Sequence, residues 1–139
     1  MYKQKLQRRW QEQRPAIYDK KARIVCLDIV KESKKEKVDD GKELVTEGYS
    51  FYPIQIDNTI DYAHIKSQLI EAGYAPKDEF GIIANAFNSV IGALLGNDED
   101  IPDSVKEKLK ADPDVQAFQT FTEYRQMCAD AAKEVLKQY

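Results

Sequence analysis

From position 23 onward, the apolar residues of this 139-residue chain follow first a strand period and then a helical one. In RIVCLDIVKES, Val25, Leu27 and Ile29 project to one side of an extended backbone and Ile24, Cys26 and Val30 to the other, which predicts a strand over 23–32 covered on both faces. The polar run KKEKVDDGK then reads as a solvated loop with a turn signal at Asp40-Gly41. KELVT and YSFYPIQID predict strands over 43–47 and 50–57, joined across Glu47-Gly48, where glycine would supply the positive φ of a tight hairpin. In the later strand Tyr52, Ile54 and Ile56 share one face, with Phe51, Pro53 and Gln55 on the other. Pro53 has no amide donor, which places this strand at a sheet edge or a bulge. The aromatics of EGYSFYP read first as packing and second as a ligand-stacking platform.

After Asn58 the period is helical. Thr59 or Asp61 caps a helix over 61–72 with Tyr62, Ile65 and Leu69 inward and Gly73 at its end. Pro76 opens a helix over 76–95 whose stripe of Phe80, Ile83, Phe87, Val90 or Ile91 and Leu94 is apolar enough for a central position, closed by Gly96. Pro102 opens a short helix over 102–110 with Val105 and Leu109, and Asp112-Pro113 opens the last, over 113–137. There Ala117, Phe121, Tyr124, Cys128, Ala131 and Val135 recur at steps of four and three, a seam for another helix of the same core or of a partner. Upstream, Tyr2, Leu6 and Trp10 lie four apart on one side of a short helix ended near Pro15. Such a helix is ordered only when docked, on a partner, a neighbouring subunit or its own domain. The expected architecture is one α+β domain over 23–139, a three-stranded antiparallel β-meander covered by a layer of about four helices. A basic amphipathic arm over 1–22 precedes it.

Charge adds a polarity that the total conceals. The net charge is -3, yet the first 23 residues carry eight Lys and Arg against Glu12 and Asp19 alone, leaving the remainder acidic. A chain divided in this way attracts a polyanion to its front, or the acidic body of another copy. No apolar run approaches the ~20 residues of a membrane span. MYKQKLQRRW has no apolar stretch behind it to make a signal peptide, so the expected location is the cytoplasm of the producing cell or a virion. Cys26 and Cys128 are too few for a disulfide framework and read as reduced and structural.

Candidate chemistry is sparse. His64 is the only histidine and falls on the polar side of its helix, with no second histidine and no cysteine at local spacing to build a zinc site. Neither G-x-S-x-G, G-x-G-x-x-G nor a P-loop occurs, and Cys26 sits mid-strand, where burial makes a thiol inert. Asn97, Asp98, Glu99, Asp100 and Asp103 form an acidic cluster that helix capping and solvation explain; a hard cation is the other reading, although the calcium-loop spacing is not met. The expectation is a non-enzyme without catalytic residues, cofactor or metal. Its partner-binding candidates are Tyr2, Leu6, Arg8, Arg9, Trp10 and Arg14 in the arm, Phe51 in the third strand, and Phe121 and Tyr124 in the last helix. Arg8 and Arg9 beside Trp10 also combine phosphate-binding charge with a stacking ring, so a nucleic-acid-binding or inhibitor-type regulator is the alternative.

The phrases RIVCLDIV, GYSFYPIQID, IDYAHIKSQLIEAGYAPKDE and AFQTFTEYRQMCADAAKEV, spanning about residues 23–138, together resemble small proteins encoded in the tail-fibre regions of bacterial phages and integrated phage-like elements. That resemblance implies a tail- or virion-associated structural or assembly protein. It would act by contact with protein partners, including copies of itself.

Overall fold

A computed structural model describes residues 2–38, 41–95 and 103–139, without the side chains of residues 94 and 95. The chain divides into two units, one of residues 1–73 with 127–139 and one of residues 74–126.

The first unit is built on a sheet of β1 (Arg9–Gln11), β2 (Tyr18–Asp19), β3 (Ile24–Lys31) and β6 (Tyr49–Gln55) in the order β1-β6-β3-β2, with every neighbouring pair antiparallel. This four-stranded arrangement replaces the expected three-stranded meander. The strand over 43–47 leaves the main sheet because β4 (Lys34–Lys37) and β5 (Glu43–Thr46) pair with each other, Lys34 opposite Thr46 and Lys37 opposite Glu43. Their backbone bonds close within the ribbon, and Gly41 turns it at φ 72° while Val38 accepts from its amide. Asp40, the other half of that turn signal, lies outside the described residues. β6 instead returns to β3 and aligns apolar pairs, Val25 with Ile54 and Leu27 with Tyr52.

The leader is the second correction. Only Tyr2–Lys5 is helical (α1), and Arg9, Trp10 and Gln11 add an edge strand to β6. Trp10 decides this: its ring lies over Gly48, its Nε1 donates to the Glu32 carbonyl at 2.8 Å, and the Lys34 ammonium sits 4.3 Å from its ring centre. A Cβ on Gly48 would stand 2.3 Å from Trp10 Cζ2, so glycine is needed there for close approach, and its φ is not positive. β6 is an inner strand, yet β1 stops with Arg9 opposite Phe51, so Pro53 is paired only on its β3 side.

Val25, Leu27, Tyr52 and Ile54 are buried on one sheet face, and this unit also buries Ile65 and Leu69 of α2 (Tyr62–Gly73). Asp61 caps α2, its Oδ2 accepting from the His64 amide at 2.9 Å. α5 (Pro113–Leu136) begins in the second unit and ends in the first, where Cys128, Ala132 and Val135 are buried.

The second unit comprises α3 (Pro76–Leu95), α4 (Asp103–Ala111) and the start of α5, and it holds an aromatic knot: Tyr74 meets Phe121 edge to face at 4.9 Å and Tyr124 at 5.4 Å. Asp112 caps α5 by accepting from the Asp114 and Val115 amides. The expected central placement of α3 does not hold. Among its described side chains Ile82 and Ala86 are buried, while Phe80, Ile83, Phe87 and Val90 face solvent; the Leu94 side chain and Gly96 lie outside the described residues.

Candidate functional site

The sheet register places Arg9, Gln11, Phe51, Cys26 and Ile24 on one face, since Arg9 lies opposite Phe51, Gln11 opposite Tyr49, Cys26 opposite Pro53 and Ile24 opposite Gln55. Residues 14–16 and 18–21 join that face to form a cavity of about 550 Å³, with Phe51, Ile24 and Cys26 apolar and Arg9, Arg14, Lys20 and Lys21 cationic. The lining's single acid is Asp19, whose Oδ1 accepts from the Lys21 and Ala22 amides at 3.1 and 3.2 Å. Lys20 donates to the Gln138 carbonyl and lies 4.4 Å from the Tyr139 ring centre. Arg9, Arg14 and Lys21 are exposed and form no ion pair among the described residues. Burial pushes the Cys26 thiol up, with Arg9 acting against it. Tyr18, also in the lining, is pushed up to about 12, first by burial and then by the 2.7 Å hydrogen bond it shares with the Tyr139 hydroxyl.

Three of the sequence-derived candidates therefore converge here: Arg9, Arg14 and Phe51. Arg8 does not, because it is engaged on the bulge of β3, where Asp28 holds a positive φ of 50°. Its guanidinium pairs with the Asp28 carboxylate, donates to the Asp28 carbonyl and Ser50 Oγ, and lies 4.3 Å from the Tyr52 ring centre. Trp10 is held as described, Leu6 is half-buried, and Tyr2 is buried with its ring edge-on to Tyr52 at 5.9 Å. Phe121 and Tyr124 are withdrawn from any partner at 1% and 0% exposure, because the seam of α5 is used internally. Lys20 and Lys21 were missed, although the run DKKAR carried the signal.

A second surface lies on the other unit. Phe80 is 76% and Phe87 64% exposed, and Ile83, Val90 and Phe118 are also exposed. Ile83, Ala86, Phe87 and Val90 of α3 line a groove of about 250 Å³ with Val115 and Phe118 of α5, and every lining side chain is apolar. The stripe was legible in the sequence. Its direction was not, since a 3.6-residue period marks a face without saying what covers it.

His64 is surface-bound and paired with a carboxylate, Nε2 standing 2.7 Å from Asp57 Oδ2. That bond, helped by the Thr59 amide at 2.9 Å, lowers the Asp57 carboxyl to about 2. A depressed carboxylate contributes stability above its unfolded value near ~3.9 and loses it as pH falls toward the folded midpoint. NMR titration of the Asp57 carboxyl carbon should show a midpoint near 2 that rises in His64→Ala. An unmoved midpoint would assign the shift to the Thr59 amide instead. Of the acidic cluster, Asn97, Asp98, Glu99 and Asp100 lie outside the described residues, and among the described residues no group of three His, Cys, Asp or Glu side chains is placed to hold a metal. No helix among the described residues is long and apolar enough to cross a membrane.

Comparison with protein-family models, with curated proteins and with solved structures finds no match for this chain.

Proposed function

We propose that this chain is a non-catalytic contact protein, a structural or assembly component of phage-derived type, which associates through protein surfaces and first with copies of itself. The observation that carries this reading is the exposed stripe Phe80, Ile83, Phe87 and Val90. Its three-four-three spacing is that of a helix-packing seam, and its exposed phenylalanines are costly to leave in water. A second copy is the favoured occupant because residues 80–95 contain no charged side chain, so two α3 helices can lie together without opposing like charges. The stripe from Phe80 to Val90 runs roughly 15 Å along the helix, enough for the centre of a symmetric interface.

The nucleic-acid alternative is less well supported by the geometry. Arg8 is tied to Asp28 and Trp10 to Glu32, which leaves Arg9 of the three residues that carried it.

Sedimentation equilibrium from micromolar to millimolar protein should give a concentration-dependent dimer. Phe80→Glu/Phe87→Glu should be monomeric with an unchanged far-ultraviolet circular dichroism spectrum. A wild-type monomer across that whole range would overturn the proposal.

A further inference from the structure

We propose that the cavity between β1, β3 and the segment 14–21 is a binding site for a small phosphorylated molecule with an apolar or aromatic body. The inference is independent of self-association through α3, since it concerns the other unit.

Three features carry it. The first is unspent charge: Arg9, Arg14, Lys20 and Lys21 converge on one concavity whose only acid, Asp19, has one carboxylate oxygen accepting from backbone amides. Lys20 is anchored at Gln138 and Tyr139, but Arg9, Arg14 and Lys21 have no ion-pair partner among the described residues. Like charges gathered in this way repel one another, and a bound oxyanion relieves that repulsion. Two arginines favour phosphate in particular, because their planar forks match its oxygens in pairs.

The second feature is shape. About 550 Å³ is within the range of small-molecule sites, and the apolar parts of Phe51, Ile24 and Cys26 in the lining offer contact for an organic body that a bare inorganic ion would not use.

The third is the limited reach of the positive field. An adjoining cavity of about 360 Å³ shares Arg14 and Cys26 but presents Asp28, Asp130 and Glu134. Arg8 pairs with Asp28 and Lys137 with Glu134, and beyond the shared Arg14 the lining of this neighbouring cavity contributes no cation. An extended polyanion leaving the basic cavity in that direction would find no further cation to hold it. A compact anion needs none, so the charge pattern favours a small ligand over a nucleic acid.

The test is calorimetric titration of the intact chain with three probes at low salt: sodium pyrophosphate, adenosine 5′-monophosphate and a short single-stranded oligothymidylate. Adenosine 5′-monophosphate should bind saturably and more tightly than pyrophosphate, since it adds the apolar contact. Arg14→Gln should weaken binding by about tenfold or more, as expected for loss of a charge-assisted hydrogen bond to phosphate. Arg9→Gln/Arg14→Gln should remove it, while Lys108→Ala, outside the lining and on α4 of the other unit, should leave it unchanged. If the double variant does not keep the wild-type circular dichroism spectrum, Arg14→Gln alone decides, its side chain being exposed. The proposal is overturned by no saturable binding below about 10 mM, a few kcal/mol being the least a formed site supplies. It is also overturned if Arg14→Gln binds like wild type, or if Lys108→Ala loses as much as Arg14→Gln. Oligothymidylate binding more tightly than the mononucleotide, with a steep salt dependence, would replace it with a nucleic-acid site.

Discussion

Phe121→Ala lowers the unfolding midpoint by on the order of 10–15 °C, through a loss of about 3–5 kcal/mol. The ring is 1% exposed and stands edge-on to Tyr74, 4.9 Å between centres, with Tyr124 on the same knot. Truncation removes the transfer energy of a buried phenyl group, leaves a cavity its neighbours fill only in part, and breaks an aromatic pair worth roughly 1 kcal/mol. Differential scanning calorimetry measures the first effect. Hydrogen exchange locates it, with protection lost first in residues 74–126. A variant with wild-type stability but altered association would return Phe121 to the partner-facing set from which its burial removes it.

Gly48→Ala should cost about 3 kcal/mol, at the upper end of overpacking penalties. The added methyl would stand 2.3 Å from Trp10 Cζ2 and 2.4 Å from Cε2, both within a rigid ring. The ring cannot yield easily, because its Nε1 is bonded to the Glu32 carbonyl and its strand is paired with β6. The lesion therefore strikes the attachment of the leader. Trp10→Ala alone removes packing and a hydrogen bond, but Gly48→Ala added to it should cost little further, since the obstruction is gone. Denaturant melts of the four proteins in that cycle measure the coupling, which should exceed 1 kcal/mol in magnitude for groups in contact. Additive costs would show that the ring moves aside.

Helical segments were the most legible part of the chain because their signals are local. Pro76 and Pro113 stand at the first residues of α3 and α5, and Gly73 at the last of α2, with apolar residues recurring at helical steps between them. The strand character of β3 and β6 was equally local, carried by β-branched and aromatic runs. Pairing was not. KKEK has no apolar face, so nothing in it announced a strand, and its pairing with ELVT took β5 out of the main sheet. The leader misled for a different reason: the i, i+4 spacing of Tyr2, Leu6 and Trp10 suits a helix, but contact with Gly48 and Glu32 rewards Trp10 more in an extended chain. At the candidate site, charge composition pointed to Arg9 and Arg14, whereas their meeting with Lys20, Lys21 and Phe51 depends on the register between β1 and β6. That register is a tertiary fact.

The first unit is interrupted in sequence: residues 127–139 rejoin it only after residues 74–126 have been laid down elsewhere. During synthesis at roughly 5–20 residues per second, the sheet and α2 wait several seconds for the helical end that lines a cavity with Cys26 and Leu27. During that interval the nascent polypeptide carries an unfinished hydrophobic surface, a window in which a chaperone would find purchase and crowded neighbouring chains could coalesce.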